Sequence, residues 1–180
     1  MNNKGFTLIE LLVVIAIIGI LSGIVITALG GAQTKAKDAK IQSEMGQLRS
    51  AAELYALSNN NTYGKGGLNG RDTLGCTDSA GMFQDPTLVK YISSILSNVK
   101  IGSTYVQCVT RPSGTTNATS WAVVALLPSS SVPTDEKWWC VDSSGYNGKV
   151  IYGVSGGPRW FKSGGGRESR KIECNPVTTS

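Results

Sequence analysis

The chain opens with an almost unbroken apolar run: from Phe6 to Ala32, 27 residues contain one ionisable side chain, Glu10. As a helix such a run can cross a bilayer, which takes ~20 apolar residues at ~1.5 Å rise each. A carboxylate within it costs ~2.5–3.5 kcal/mol on insertion scales, so Glu10 calls for a partner. After Gly30-Gly31 the pattern becomes amphipathic. Ile41, Met45, Leu48, Ala52 and Tyr55 recur at spacings of four, three, four and three, the stripe of a helix with one buried face. Lys35, Lys37, Lys40, Gln42, Arg49 and Glu53 fill other positions, and Asn59-Asn60-Asn61 marks the stop. The pattern predicts a helix over 6–58, ~80 Å long at 1.5 Å per residue. Residues 6–31 are apolar all round, and 32–58 have one dry face.

Beyond the helix, residues 59–180 read as a small head. Asn61 to Gly81 is glycine-rich loop. Asp85-Pro86 then reads as an N-cap followed by proline at the first helical position. Leu88, Val89, Ile92, Ile95 and Leu96 predict a short amphipathic helix over 86–98. Four runs rich in Val, Ile, Trp, Tyr or Thr follow as strands: Thr104–Thr110, Ser120–Leu127, Lys137–Val141 and Lys149–Val154. Their spacing suits an antiparallel meander whose apolar face needs the stripe of the long helix. The fold class expected is α+β. Adjacent Trp138 and Trp139 point to opposite faces of their strand, one into the core and one outward. An outward tryptophan suits a contact between subunits, or stacking on a sugar or base.

Composition narrows the chemistry. At 180 residues the chain holds one modest domain beside the helix, and its net charge of +5 is only mildly basic. The absence of histidine removes the commonest general base and metal ligand. No phosphate-binding glycine loop, Ser/Lys signature or convergent acidic cluster replaces it, so the reading is non-enzymatic, with no metal and no cofactor. Cys76, Cys108, Cys140 and Cys174 all follow the apolar run, and none forms a Cys-x-x-Cys pair. Their even number fits two disulfides in an oxidising compartment. Three pairings are open, and the one favoured here is Cys76–Cys108 with Cys140–Cys174, stapling consecutive segments. Each would be worth ~3–4 kcal/mol in the chain-entropy model.

The first residues carry a more specific signal. Lys4-Gly5-Phe6-Thr7-Leu8-Ile9-Glu10, running into Leu11-Leu12-Val13-Val14-Ile15-Ala16-Ile17-Ile18-Gly19, resembles the leader of type IV prepilins and pseudopilins. The resemblance spans residues 1 to about 60. It implies a ladle-like fold, a long helix against a small sheet. It also implies a leader over residues 1–5, removed between Gly5 and Phe6 by a prepilin peptidase at the cytoplasmic face, with N-methylation of Phe6. Lys4 would hold that end on the cytoplasmic side, and its loss lowers the charge from +5 to +4. In the family this carboxylate pairs with the terminal ammonium of a neighbouring subunit, so Glu10 becomes a candidate assembly contact. The implied partners are copies of the chain in a helical filament, other pilins, the peptidase, an inner-membrane assembly platform and the bilayer. The implied location is a single-pass cytoplasmic-membrane precursor with its head outside, then an extracellular pilus. Many pilins carry a proline in mid-segment. Here Thr27 stands at that position, and Gly19, Gly23 and Gly30-Gly31 offer points of flexibility.

Three further features bear on the head. Trp160 and Phe161 lie among Arg159, Lys162, Arg167, Arg170 and Lys171, and such interleaving can bind phosphate backbones and bases. Glu168 and Glu173 dilute that charge, and Gly164-Gly165-Gly166 reads as a mobile loop, which favours a plain solvated surface. Asp135, Glu136 and Asp142 lack the spacing of a known calcium loop. The sequons at Asn60 and Asn117 are assigned no role. The leading reading is a type IV pilus subunit serving adhesion, motility or uptake. The alternatives are a type II secretion pseudopilin, or a minor pilin whose Trp160, Arg167, Arg170 and Lys171 bind DNA or a surface glycan.

Overall fold

In the computed structural model, the described residues are 5–65, 73–74, 76, 81–99, 106–112, 115–130, 138–150, 161–164 and 171–174. The elements are helix α1 (Leu8–Ser58), strand β1 (Thr73–Leu74), a 3-10 turn (Gly81–Gln84), helix α2 (Pro86–Asn98), and strands β2 (Val106–Arg111), β3 (Ser120–Leu126), β4 (Trp138–Asp142), β5 (Asn147–Val150), β6 (Phe161–Gly164) and β7 (Lys171–Cys174). The chain divides into two units, Met1–Ala36 and Lys37–Ser180.

In the first unit, every large apolar side chain described from Phe6 to Leu29 is exposed, from 49% at Val13 to 88% at Phe6. This stretch is long and apolar enough to cross a membrane. A helix apolar all round buries nothing in its own fold and needs lipid or like helices around it.

The second unit is α+β. Ile41, Met45, Leu48, Ala52 and Ala56 form the buried stripe of α1, while Tyr55 is half-buried at its edge. Past Ser58, Asn60 and Asn61 take left-handed φ of 54° and 58°, and the Asn61 amide donates to the Ala56 carbonyl at 2.8 Å. Asparagine tolerates that conformation, so the triplet ends the helix. The Asp85 carboxylate caps α2, accepting from the Thr87 amide at 2.8 Å, with Pro86 at the first helical turn.

Strands β2 to β5 form an antiparallel meander, with two-residue β1 at the β2 edge. Three strands begin and end within a few residues of their sequence-predicted limits, while β5 starts two residues early, at Asn147. Residues 104, 105, 127, 137 and 151–154 of the predicted spans lie outside the strands, and of these only Leu127 is among the described residues. Both faces of the sheet are buried. Val106, Cys108, Trp121, Val123, Ala125 and Val141 pack with α1 and α2. Val109, Ala122, Val124, Leu126, Trp138, Cys140 and Val150 form a second cluster with Cys174.

That second face is covered by a hairpin the sequence pattern did not reveal. Strands β6 and β7 pair antiparallel, and β7 lies against β2, β3 and β4. Part of the region read as a solvated surface is therefore sheet, because an apolar face of this size must be covered. Trp138 and Trp139 do face opposite ways, but neither is fully outward. Trp138 enters the second cluster, and Trp139 packs against the first and donates its indole N–H to Asn147 Oδ1 at 2.7 Å.

The segment after α1 is tied in through Tyr63. Its amide donates to Ala118 O at 2.9 Å, and its carbonyl accepts from the Met82 amide at 3.1 Å. Gly64 has φ 78°, and a Cβ there would stand 2.7 Å from Gly81 Cα, so glycine is required. The Tyr63 hydroxyl donates to both Glu53 oxygens at 3.0 Å. Burial, and then the Glu53 carboxylate, push its pKa up to about 12. The folded state therefore holds this proton more tightly than the unfolded chain, whose tyrosines titrate near 10. The resulting stability is complete below pH 10 and is lost as pH rises from 10 towards 12. Tyr63→Phe is expected to flatten that part of the alkaline loss, measured by thermal melts across the window.

Candidate processing and assembly site

The site begins where the helix does not. Gly5, Phe6 and Thr7 lie outside α1, which starts at Leu8. The Gly5–Phe6 bond thus sits in exposed, non-helical backbone. A Cβ built at Gly5 meets no atom within 4 Å, so the fold itself does not demand glycine there.

The start of α1 is fixed by Thr7 and Glu10. The Thr7 amide and hydroxyl donate to Glu10 Oε2 at 2.8 and 2.7 Å, and the Glu10 amide reaches Thr7 Oγ1 at 3.4 Å. This is a reciprocal capping box, in which each side chain satisfies an orphan donor of the other residue. It gives Glu10 a partner within its own chain. Thr7 was not singled out from the sequence, although Thr7-x-x-Glu10 ahead of an apolar run is the capping-box signature.

In the second unit the structure joins Cys76 to Cys108 and Cys140 to Cys174, with Cα atoms 5.0 and 6.0 Å apart. Asp142 is completely buried at the β4 end. Its Oδ1 accepts from the Ser144 amide (2.9 Å), the Ser144 hydroxyl (2.7 Å) and the Tyr146 amide (3.0 Å), and Oδ2 accepts from the Cys174 amide at 2.6 Å. Four donors thus surround this buried carboxylate, three on Oδ1 and one on Oδ2. The neighbouring Tyr146 hydroxyl is raised by burial and then by the Asp142 charge. Asp135 and Glu136, weighed with Asp142 as calcium ligands, lie outside the described residues. Among the described residues no group of three or more Cys, Asp or Glu gathers as a metal site would.

Residues far apart in sequence also meet here. Arg49 donates to Gly145 O at 2.7 Å beside a groove of about 490 Å³, lined by Ser50, Glu53, Leu54, Ser143 and Ser144. Asp38 is buried and accepts from the Ser129 amide at 3.1 Å. Sequence pattern could not have found either. Trp160, Arg167 and Arg170 lie outside the described residues, as does the side chain of Lys171, whose backbone begins β7.

The family described as the prokaryotic N-terminal methylation motif matches residues 1–26. Type II secretion system core protein G of Pectobacterium carotovorum is 44% identical over 59 residues, 33% of this chain and 38% of that protein. Type IV wide pilus major component PilA4 of Thermus thermophilus is 44% identical over 59 residues, 33% of this chain and 45% of that protein. Type IV major fimbrial protein FimA of Dichelobacter nodosus is 46% identical over 55 residues, 31% of this chain and 35% of that protein. The matched segment spans less than half the length of each of these relatives. No solved structure matches the chain. Together, these matches show that the chain carries the prokaryotic N-terminal methylation motif on a segment similar to type IV pilins and type II secretion core proteins G.

Proposed function

We propose that the chain is a structural subunit of a type IV pilus, made as a membrane-anchored precursor. A prepilin peptidase cuts Gly5–Phe6 and methylates the new Phe6 terminus. An inner-membrane platform then moves the subunit into a filament, where the exposed helix from Phe6 to Leu29 exchanges lipid for the helices of other copies. Before assembly the N-terminus is cytoplasmic and the head is outside. The observation that carries this reading is the joint placement at one helix start: a bond in non-helical backbone, a glycine that the fold does not need, and a capped carboxylate four residues beyond the new terminus.

The chemistry follows. Cleavage creates an ammonium at Phe6, and methylation leaves it charged. Glu10 is the nearest carboxylate in sequence, and in an apolar core either charge alone is costly. Their pairing, between neighbouring subunits, fixes the axial step of the filament.

The test is at the cleavage site. Mass spectrometry of the mature subunit should find N-methylated Phe6 at its terminus. Gly5→Ile should slow cleavage about tenfold or more, because a peptidase pocket fitted to glycine excludes a branched side chain. A mature terminus elsewhere than Phe6, or unimpaired processing of Gly5→Ile, would contradict the proposal.

A second reading is favoured by the similarity to secretion core protein G over the same segment. It makes the chain a type II secretion pseudopilin with the same processing and a short periplasmic filament. Electron microscopy separates the two, since sheared surface filaments containing this chain belong to a pilus.

A further inference from the structure

We propose that Asp142 is the positioning residue for the Cys140–Cys174 disulfide, docking the C-terminal strand before the sulfurs join. Cys140 and Asp142 are two residues apart on β4 and therefore point to the same face of the sheet. Both engage Cys174. Cys140 holds its sulfur, and Asp142 Oδ2 accepts its backbone N–H at 2.6 Å.

The order of events follows from chain separation. Three of the four hydrogen bonds to Asp142 come from Ser144 and Tyr146, two and four residues away, and form with the β4–β5 hairpin. The fourth comes from 32 residues away. Closing a long loop costs more entropy than closing a tight turn, so the local bonds form first. They satisfy Oδ1 and leave Oδ2 without a donor from the hairpin; β7 buries that oxygen when it covers this face, and burial without a donor would be costly. The Cys174 amide is that donor, and once it is bound the two thiols are adjacent.

Oxidation then proceeds by exchange with an external disulfide. One cysteine thiolate attacks it, forming a mixed disulfide and releasing one thiol. The other cysteine thiolate attacks the mixed disulfide, forming Cys140–Cys174 and releasing the second thiol. Two electrons pass to the oxidant.

The second disulfide supplies an internal control. Cys76–Cys108 lies on the other face of the sheet, in the cluster with α1. The full chain in detergent is equilibrated with reduced and oxidised glutathione, and the oxidised fraction of each pair is read by thiol trapping and peptide mass spectrometry. Asp142→Asn is expected to lower the effective concentration of the Cys140–Cys174 pair about tenfold, the effect of weakening a charged hydrogen bond. Cys76–Cys108 should be unchanged. No change in either pair, or an equal fall in both, would overturn the proposal. A second measurement does not depend on that variant folding. With Cys140→Ser and Cys174→Ser combined and Asp142 intact, the amide at position 174 should stay protected from hydrogen exchange. Rapid exchange there would show that the disulfide, and not Asp142, holds the strand.

Discussion

Glu10→Ala subunits are expected to insert and be cleaved normally while the yield of sheared filaments falls to background. Two roles of Glu10 must be separated, because the same carboxylate caps α1 through Thr7 and is proposed to meet the Phe6 ammonium of a neighbour. Capping is worth ~0.5–2 kcal/mol. Leaving a buried charge without its partner costs ~3–5 kcal/mol, and a filament incurs that cost at every subunit. The charge effect should therefore dominate. Glu10→Gln tells them apart: an amide oxygen can still accept from Thr7, as glutamine does in capping boxes, but it offers no negative charge. If pairing controls assembly, the Gln variant fails as the Ala variant does. The measurement is an immunoblot of sheared filaments against processed subunit remaining in membranes. Normal assembly of Glu10→Gln would reduce Glu10 to a helix cap.

Local signals account for what the sequence made visible. Gly5, Phe6 and Glu10 lie within six residues, so no tertiary knowledge is needed to group them. The α1 stripe was legible for the same reason: Ile41, Met45, Leu48 and Ala52 are all fully buried. Its last member was misplaced by one position, since Ala56 and not Tyr55 completes the dry row. A four-residue step from Ala52 keeps the smaller side chain inward, and the phenol stays at the rim.

The head was harder to read where contacts span the chain. Strand β3 reads Ser-Trp-Ala-Val-Val-Ala-Leu without polar alternation, and all seven residues are buried. Continuous apolar strands are covered on both faces, so the run itself pointed to a second covering layer. Which segment supplies the cover was not legible. The β6 and β7 sequences, Phe-Lys-Ser-Gly and Lys-Ile-Glu-Cys, are short and mostly polar or glycine. What holds β7 in place is long-range: a disulfide and the Asp142 carboxylate. The contacts from Arg49 to Gly145 and from Asp38 to Ser129 join residues 96 and 91 positions apart, and no periodicity encodes them.

Trp121→Ala should produce the largest loss of stability in the head, about 3–5 kcal/mol, the usual cost of deleting a large buried aromatic. Trp121 is fully buried, and its ring meets that of Tyr63 edge-on at 6.3 Å and 70°. Its backbone holds the β4–β5 turn as well, accepting from the Ser143 amide at 3.1 Å and bonding Ser143 Oγ at 3.2 Å. Those bonds survive substitution. The cavity is expected to stay open, because Trp121 belongs to the buried cluster that residues of α1, α2 and the sheet share. Removing the indole also takes away the ring against which Tyr63 is set, so the Glu53–Tyr63 bonds should loosen in turn. Trp139→Ala provides the comparison, since that ring is half-buried at the edge of the same cluster and should cost only about 1–2 kcal/mol, including its bond to Asn147. Chemical denaturation of the full-length protein in detergent, followed by near-UV circular dichroism, measures both. Equal losses for the two tryptophans would show that the core is not centred on Trp121.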